Sequence, residues 1–493
     1  MKGNEEMHFE RFDKRNLLIF VPCLLFAMPI IFSGVFYRDD YWRVVTGENF
    51  WGWAGRQGAD QIAHVLSLSK FHVDSYPLGY ILSIVFICYV LFIVSKHYAI
   101  KKDYAILSLS FLFVSPFFLQ NLAYRFDAPQ MVLGVALSIL AFYRSNGRSA
   151  NTMVSALLLV LALCLYQPVV NIFLGLVAAN FCFLIKNFYR DRFVMYVWDV
   201  AVFVLGYVLY YCFQILINGG VARSGTVNST ELLGSLMDVF VYVYEISASL
   251  FVGYSLYFYG LFFLLSIFCM FLLYWDFVKS HLSVRKKVLA SLVLLSMPVL
   301  LFFSATGPSF VLEEGVTDVR VLVGFASVFM FFAIPILKKM PFHMSTVVAL
   351  LPVYIAIVLS FQFANATKAQ RIFEDRILSN VSYDLSFSDT DFGDIYVAGV
   401  MPTAPMAKVI VEKQPFIDFI LSPMASWISG PALFGQGNEN VKISWELIGQ
   451  DLVDDVCLNV ESPQIERKFY SIYNYEGRSI VYVGEEDLLC DES

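Results

Sequence analysis

Two adjacent carboxylates, Asp39 and Asp40, are the first candidates for catalysis in this sequence. They directly follow the apolar run 17–36 and belong to a polar segment, 37–75, that forms the first predicted outer loop. A carboxylate held at a dry membrane edge can have its pKa raised enough to accept a hydroxyl proton. Neighbouring side chains point in different directions, so we expect the two aspartates to have different roles. The alternative is an ion-pair cluster that only anchors the loop.

Four arginines form a candidate phosphate site. They come from three predicted outer loops and are Arg43, Arg56, Arg125 and Arg320. A guanidinium group binds two phosphate oxygens at once and keeps its charge, so it suits a lipid phosphate at the headgroup level. The alternative for each arginine is snorkelling or ordinary pairing, for example of Arg125 with Asp127.

The first outer loop also holds candidate sugar and metal contacts. Trp51 and Trp53 could stack on a sugar ring, although tryptophan is also common at membrane interfaces. Asp60 and His64 are four residues apart and could share one helix face as metal ligands. We interpret this pair instead as a helix with a hydrogen-bonded histidine. We expect no metal ion, because adjacent aspartates alone make a poor site and no cysteine–histidine cluster indicates zinc.

Composition predicts a polytopic α-helical membrane protein. The chain is 58% hydrophobic and 15% charged, with a mean hydropathy of +0.66, and apolar runs of about 18 residues can each cross a bilayer. The candidate spans are 17–36, 76–95, 104–120, 129–143, 152–167, 169–185, 194–216, 248–274, 288–304, 321–337 and 344–362. Their centres carry no charge, which disfavours an ion-coupled transporter. The net charge of −7 and the lack of a basic groove argue against a nucleic-acid partner.

The distribution of lysine and arginine predicts the orientation. Eighteen of these residues fall in one set of loops and seven in the other, and the richer set faces the cytoplasm. The N-terminus is therefore predicted to be cytoplasmic, with the run from Leu17 acting as a signal anchor. Eleven spans then place the C-terminal tail outside.

The tail, 364–493, is long enough for a small mixed α/β domain. Short β-prone pieces at 394–400, 408–412, 469–475 and 479–483 alternate with glycine, proline and asparagine. Cys457 and Cys490 could form a disulfide there if the compartment is oxidising. A further outer segment reads either as an amphipathic helix over 231–245 or as a long loop.

Three motifs resemble the type II glucosyltransferase family, the membrane enzymes of bacterial O-antigen serotype conversion. They are FYRDDYWRVVTGENFWGWAGRQGAD after the first apolar run, NLAYRFDAPQMVLGVAL (121–137) and LYQPVVNIFL (165–174), with DVRVLVGFASVF (318–329) as a weaker match. The similarity covers most of the membrane region. The tail carries no matching motif.

This resemblance implies a GT-C-like architecture, with a membrane domain over 1–363 and a C-terminal periplasmic domain over 364–493. It implies glucose transfer, with inversion, from a polyprenyl-phosphate-linked donor to O-antigen polysaccharide at the bacterial inner membrane. Asp39 or Asp40 would be the general base, and the four arginines would bind the donor phosphate. Candidate sugar or acceptor contacts are Trp51, Trp53, His64, Tyr124, Asp127 and Gln167.

Other functions stay open at this point. An O-antigen polymerase, or a polyprenyl-phosphate-sugar transferase for a different sugar, would use the same kinds of residue. A lipid-linked sugar flippase would need a polar path across the bilayer, which the uncharged span centres disfavour. A non-catalytic assembly protein would use the acidic tail as its partner surface.

Overall fold

The fold is mostly helical and is given by a computed structural model. It describes residues 17–97, 109–145, 151–184, 190–218, 225–228, 230–281, 283–312, 318–387, 392–443, 450–460 and 462–484. The first helices are α1 (Leu17–Ser33), α2 (Asp40–Thr46), α3 (Gln57–Ser67), α4 (Leu78–His97), α5 (Leu119–Ala123), α6 (Ala128–Ser145) and α7 (Thr152–Leu165). They are followed by α8 (Asn171–Leu184), α9 (Arg190–Asn218), α10 (Leu232–Ser249), α11 (Gly253–Lys279), α12 (Val284–Thr306), α13 (Phe325–Lys339) and α14 (Phe342–Phe387).

Five helices in the described parts of the chain are long and apolar enough to cross a membrane. The stretches concerned are Leu78–Ser95, Val197–Asn218, Leu232–Ser249, Gly253–Lys279 and His343–Phe387. Large apolar side chains such as Leu233, Leu264 and Leu295 are 71%, 68% and 76% exposed, which suits a lipid environment. The protein is therefore a membrane protein. Further apolar helices of 10–17 residues are present, and the total of eleven spans stays a prediction.

The third predicted span is not one straight helix over its described part. Residues 104–108 lie outside the described residues, and a turn follows Leu109–Ser110. Ser115 is extended, and the chain continues as a 3-10 helix, Pro116–Phe118, and then α5. Pro116 lacks an N–H and disfavours a helical conformation at the residue before it, so the apolar run bends here.

The segment predicted as either an amphipathic helix or a long loop is helical. It forms α10, Leu232–Ser249, whose buried residues Val239, Val243 and Ile246 recur at helical spacing. The Ser235 hydroxyl donates a hydrogen bond to the Phe310 carbonyl at 2.8 Å. This contact ties α10 to the loop after α12.

The segment between α1 and α2 packs into the main apolar core. Tyr37 is fully buried. Its ring meets Tyr124 edge to face at 4.9 Å between centroids, and its hydroxyl donates to the Ile420 carbonyl at 2.8 Å. The start of the loop 37–75 is thus fixed by contacts to the Tyr124 turn and to the C-terminal region.

The C-terminal region carries a four-stranded sheet. Its strands are β1 (Asp394–Gly399), β2 (Ile465–Arg467), β3 (Tyr470–Tyr475) and β4 (Arg478–Val483), in the order β1-β4-β3-β2. β1 pairs parallel with β4, for example Val397 with Val481, and the other pairs are antiparallel. Helices α15 (Pro405–Lys413), α16 (Ser426–Gly435) and α17 (Gln450–Asn459) complete the described part. The small sheet confirms the expectation of a mixed α/β region.

One predicted β-prone piece, 408–412, is wrong, because it lies inside α15. Pro405 begins that helix, where its missing N–H costs nothing. Ala407, Ile410 and Val411 then pack on the main core. Their spacing of three and four residues is helical, and it outweighs the β-branched composition of the piece.

The predicted domain boundary at 363/364 falls within α14, a single helix of 46 residues. The chain therefore passes from the membrane-facing part to the C-terminal part without a linker. Cys457, in α17, is disulfide-bonded. Cys490, its predicted partner, lies outside the described residues.

Candidate active site

A short helix presents the two aspartates. α2 spans seven residues from Asp40, Asp39 directly precedes it, and Gly47 ends it in a left-handed conformation with φ 70°. Arg38 also has a positive φ, 47°, which is uncommon for a residue other than glycine. This turn separates the directions of Asp39 and Asp40, as their adjacency predicts.

Asp40 is fully buried, and its oxygens bind backbone groups. Oδ2 accepts the N–H groups of Tyr37 at 2.9 Å and Arg125 at 2.7 Å, and Oδ1 accepts that of Phe126 at 3.2 Å. Burial raises the pKa of Asp40 to about 7, although Arg43 opposes the shift. Such a pKa would suit a general base. However, the carboxylate is 0% exposed. Its hydrogen bonds link the loop that carries Tyr37 to the turn that carries Arg125 and Phe126.

Asp39 is the accessible member of the pair. Its side chain is 28% exposed, and one oxygen lies 3.4 Å from Nη2 of Arg43. It also lies within electrostatic range of Arg320 and Tyr124. A substrate hydroxyl could therefore reach Asp39, whereas Asp40 has no accessible oxygen.

Asp127 holds Arg43 beside Asp39. Its Oδ2 accepts from Nη1 of Arg43 at 2.5 Å, and its Oδ1 accepts from the Trp51 indole N–H at 2.9 Å. The Arg43 guanidinium lies over the Trp51 ring, 5.0 Å from its centroid. Arg56 approaches the same carboxylate, with Nη1 3.9 Å from Oδ1. Trp51 is 3% exposed, so in this structure it supports the arginines and its ring is not open to a sugar.

Arg56 lies close to Asp39, Arg43 and Asp127, and we call this cluster, together with Arg320, the corner. Its Nε donates to Oε1 of Gln167 at 3.1 Å, and its guanidinium lies over the Tyr166 ring, 4.7 Å from the centroid. Burial lowers the pKa of Arg56, and the like charges of Arg320 and Arg43 lower it further. A bound anion would relieve this repulsion.

Arg320 reaches the corner from the loop between α12 and α13. Its Nη1 donates to the Tyr124 hydroxyl at 2.5 Å, and its Nε lies 3.2 Å from Oδ2 of Asp318. Arg38 also binds Asp318, at 3.2 and 3.1 Å to its two oxygens. Burial raises the pKa of Asp318, but the two arginines outweigh burial and hold the pKa below its ordinary value. Arg320 is thus held in place by a neutral hydroxyl and a shared carboxylate.

The backbone of Arg320 is fixed as well. Its N–H donates to Oε1 of Gln120 at 2.8 Å. Its carbonyl accepts from Nδ2 of Asn121 at 3.1 Å and from the Tyr166 hydroxyl at 3.0 Å. These bonds set the 3-10 turn Val319–Val321 against the turn that carries Tyr124.

The structure does not bring Arg125 together with the other three arginines. Its guanidinium binds Asp74, with Nη2 to Oδ2 at 2.6 Å, and donates to the Gly34 carbonyl at 3.1 Å. Phe36 and Tyr76 cover it, 4.5 and 4.2 Å from their ring centroids. The carboxylate it pairs with is Asp74 and not Asp127, the partner considered from the sequence.

The remaining candidates occupy different places. Trp53 is 62% exposed, so its ring is open to a ligand. Gln167 is engaged with the loop, since its Nε2 donates to the Ala54 carbonyl at 2.8 Å. His64 lies 3.6 Å from Asp60, one helical turn away on α3 as the sequence predicts.

Sequence reasoning missed Asp318 and Gln120 as parts of this corner. Asp318 and Arg320 are separated by one residue, and both lie at the end of the loop that precedes α13. The signal available was this acid–arginine pair just before an apolar run. Gln120 gave no signal, because it lay inside a predicted span.

Comparison with known proteins identifies the family of this chain. The family model of glucosyl transferase GtrII matches residues 28–331, a range that contains both aspartates and all four arginines. A protein of Salmonella phage P22, described as an uncharacterized 55.3 kDa protein in the gtrB 5' region, is 26% identical over 434 residues. That alignment covers 83% of this chain and 87% of the phage protein. No solved structure matches.

The family match covers well over half of the chain, includes the whole Asp39–Arg43–Arg56–Arg320 corner and confirms the resemblance seen in the sequence motifs. The chain belongs to the GtrII glucosyl transferase family and is a membrane glycosyltransferase.

Proposed function

We propose that the protein transfers glucose from a polyprenyl-phosphate-linked donor to O-antigen polysaccharide, with inversion and with Asp39 as the general base. The reaction would take place on the periplasmic side of the bacterial inner membrane. Membership of the family and the predicted charge distribution of the loops support this choice of donor, acceptor and side of the membrane. The choice of Asp39 over Asp40 rests on the geometry of the corner.

The difference in accessibility between the two aspartates supports this choice. A general base must come within hydrogen-bond reach of the proton it removes. Asp39 has oxygens open to a ligand, whereas the oxygens of Asp40 are occupied by three backbone N–H groups. Asp40 therefore has the role of holding the loop that presents Asp39.

In the proposed reaction, Asp39 takes the proton of the acceptor hydroxyl as its oxygen attacks the anomeric carbon of glucose. The bond from that carbon to the phosphate oxygen breaks, and the electron pair leaves with polyprenyl phosphate. Arg43, Arg56 and Arg320 stabilise the charge that develops on the departing phosphate. Preplaced donors are effective here because they need no reorganisation in the transition state.

The buried side of the cluster explains why the arginines stay in position without substrate. Asp127 and Trp51 hold Arg43, Gln167 and Tyr166 hold Arg56, and Tyr124 and Asp318 hold Arg320 (Arg43–Asp127 2.5 Å, Arg56–Gln167 3.1 Å, Arg320–Tyr124 2.5 Å). Arginine has five N–H donors, and the side chains of Arg56 and Arg320 are 22% and 21% exposed, so these two keep donors for a ligand. The Arg43 side chain is 7% exposed and acts through its charge beside Asp39.

The direct test is sugar transfer in proteoliposomes. The purified protein is supplied with polyprenyl-phosphate carrying labelled glucose and with lipopolysaccharide as acceptor, and the anomeric configuration of donor and product is compared. We expect transfer with inversion by the wild type and a large loss for Asp39→Asn. Glu466→Gln, which changes an exposed carboxylate on β2, is the matched control.

Two outcomes would contradict the proposal. Transfer by Asp39→Asn at the wild-type rate would exclude this residue as the base. Movement of the labelled lipid across the vesicle membrane without transfer to any acceptor would instead indicate a flippase.

A further inference from the structure

A second polar cluster lies beside Trp51, whose ring contacts His72. It consists of Asp60 and His64 on α3 and His72 in the loop after it. One ligand atom from each residue lies within 4.8 Å of the others. Nε2 of His64 is 3.6 Å from Oδ1 of Asp60, and Nε2 of His72 is 3.4 Å from the same oxygen.

These distances fit a tetrahedral metal ion. Zinc binds histidine nitrogen and carboxylate oxygen at about 2.0–2.2 Å, which separates two ligand atoms by roughly 3.4 Å. The sequence pointed only to the pair Asp60 and His64 and favoured a hydrogen-bonded histidine. Folding adds His72, which is eight residues further along and could not be placed by helical spacing.

The Asn49 side chain lies among these groups. The Asn49 carbonyl oxygen accepts from the Trp51 backbone N–H at 2.8 Å, which fixes the direction of the amide. Its NH2 group therefore faces Asp60, at 2.9 Å from Oδ1, and Nε2 of His72. This NH2 group therefore bridges two of the three ligand atoms, and a bound metal ion would displace it.

The state of His72 suits a metal ligand. The residue is 4% exposed, and its Nδ1 has no hydrogen-bond partner among the described residues. Metals bind histidine as the neutral imidazole.

We propose that Asp60, His64 and His72 bind one divalent zinc-type ion that braces the first outer loop. Three protein ligands would leave the fourth position of a tetrahedral site to water. The ion would join α3 to the chain around His72, whose ring packs edge to face on Trp51 at 4.9 Å between centroids. It would thereby steady the indole that holds Asp127. This is a positioning role and is independent of whether Asp39 is the base.

The test is metal content of the full-length protein, purified in detergent through a tag without histidine. The protein is incubated with zinc, dialysed in metal-buffered solution and analysed by mass spectrometry of the metal. We expect about one zinc ion per chain. Cobalt in its place should give the visible absorption bands of a tetrahedral site.

Variants separate the proposed ligands from other histidines. His72→Gln and Asp60→Asn should each weaken zinc binding by at least about tenfold, and His281→Ala, an exposed histidine elsewhere, should not. If His72→Gln fails to fold, His64→Gln gives the same comparison, because its side chain is 29% exposed and its loss is better tolerated. Wild-type protein that retains no zinc, or Asp60, His64 and His72 variants that retain as much as the wild type, would overturn the proposal.

Discussion

The loop 37–75 takes part in two acid–arginine clusters that look alike in sequence and differ in the structure. In one, Arg125 binds Asp74 at 2.6 Å, donates to a backbone carbonyl and is covered by two aromatic rings. In the other, Asp39 is 28% exposed and has a single arginine contact at 3.4 Å. The first cluster is saturated by its own partners. The second keeps groups available to a ligand.

Asp40 lies at the junction of the two clusters. It binds the backbone N–H groups of Arg125 and Phe126, which fixes the turn that carries both Arg125 and Asp127. The difference between the clusters shows that charge and residue type alone do not identify a catalytic group. What matters is whether its hydrogen-bonding capacity is already used within the protein.

The largest expected effect comes from removing the accessible carboxylate. Asp39→Asn should lower the rate of sugar transfer by about 10²- to 10⁴-fold, the usual contribution of a general base. The melting temperature should stay close to that of the wild type, because Asp39 makes few internal contacts. Initial transfer rates and thermal unfolding in the same detergent measure the two effects. If the fraction of folded protein falls as much as the transfer rate, Asp39 has a structural role like that of Asp40.

The next prediction compares the effects of replacing Arg320 and Arg125, one arginine from each cluster, on sugar transfer and on stability. Arg320→Gln should lower transfer by about 10²-fold through loss of a phosphate donor. Arg125→Gln should act mainly on stability, by about 1–3 kcal/mol, because it leaves Asp74 unpaired. Transfer per folded molecule, determined for both variants, decides between these roles. Similar losses of transfer would place Arg125 in the donor site.

Asp40→Asn tests whether the buried Asp40 carboxylate stabilises the fold by linking two loops. An amide keeps one acceptor but turns a donor towards a backbone N–H, so the free energy of unfolding should fall by about 1–3 kcal/mol. Transfer per folded molecule should change far less than in Asp39→Asn. A stable Asp40→Asn protein without activity would reverse the roles assigned to the two aspartates.

The smallest effect is expected for Trp51→Phe. Phenylalanine keeps an aromatic ring that is smaller than the indole, and Asp127 loses the indole N–H at 2.9 Å, which by itself costs about 1 kcal/mol. Transfer should fall by only several-fold, since Arg43 keeps its bond to Asp127. A loss as large as that of Asp39→Asn would mean that Trp51 contacts the sugar directly.

Much of the fold could be predicted from composition and periodicity. Long apolar runs gave the helices around α4, α9, α11 and α14, and alternating β-prone pieces gave β1, β3 and β4. The errors arose where local composition disagreed with packing. The bend at Pro116 and the helix α15 both depend on which side chains meet the core.

The membrane class, the family and the set of residues that could do chemistry can be predicted from the sequence alone, because hydropathy and motif spacing are local properties. Which of these residues lie together depends on the folded chain. Asp39, Arg43, Arg56 and Arg320 meet in the corner, while Arg125 turns to Asp74 and His72 joins Asp60 and His64. The physical reason is that burial and hydrogen-bond saturation depend on contacts between segments far apart in the chain, and no local pattern encodes them.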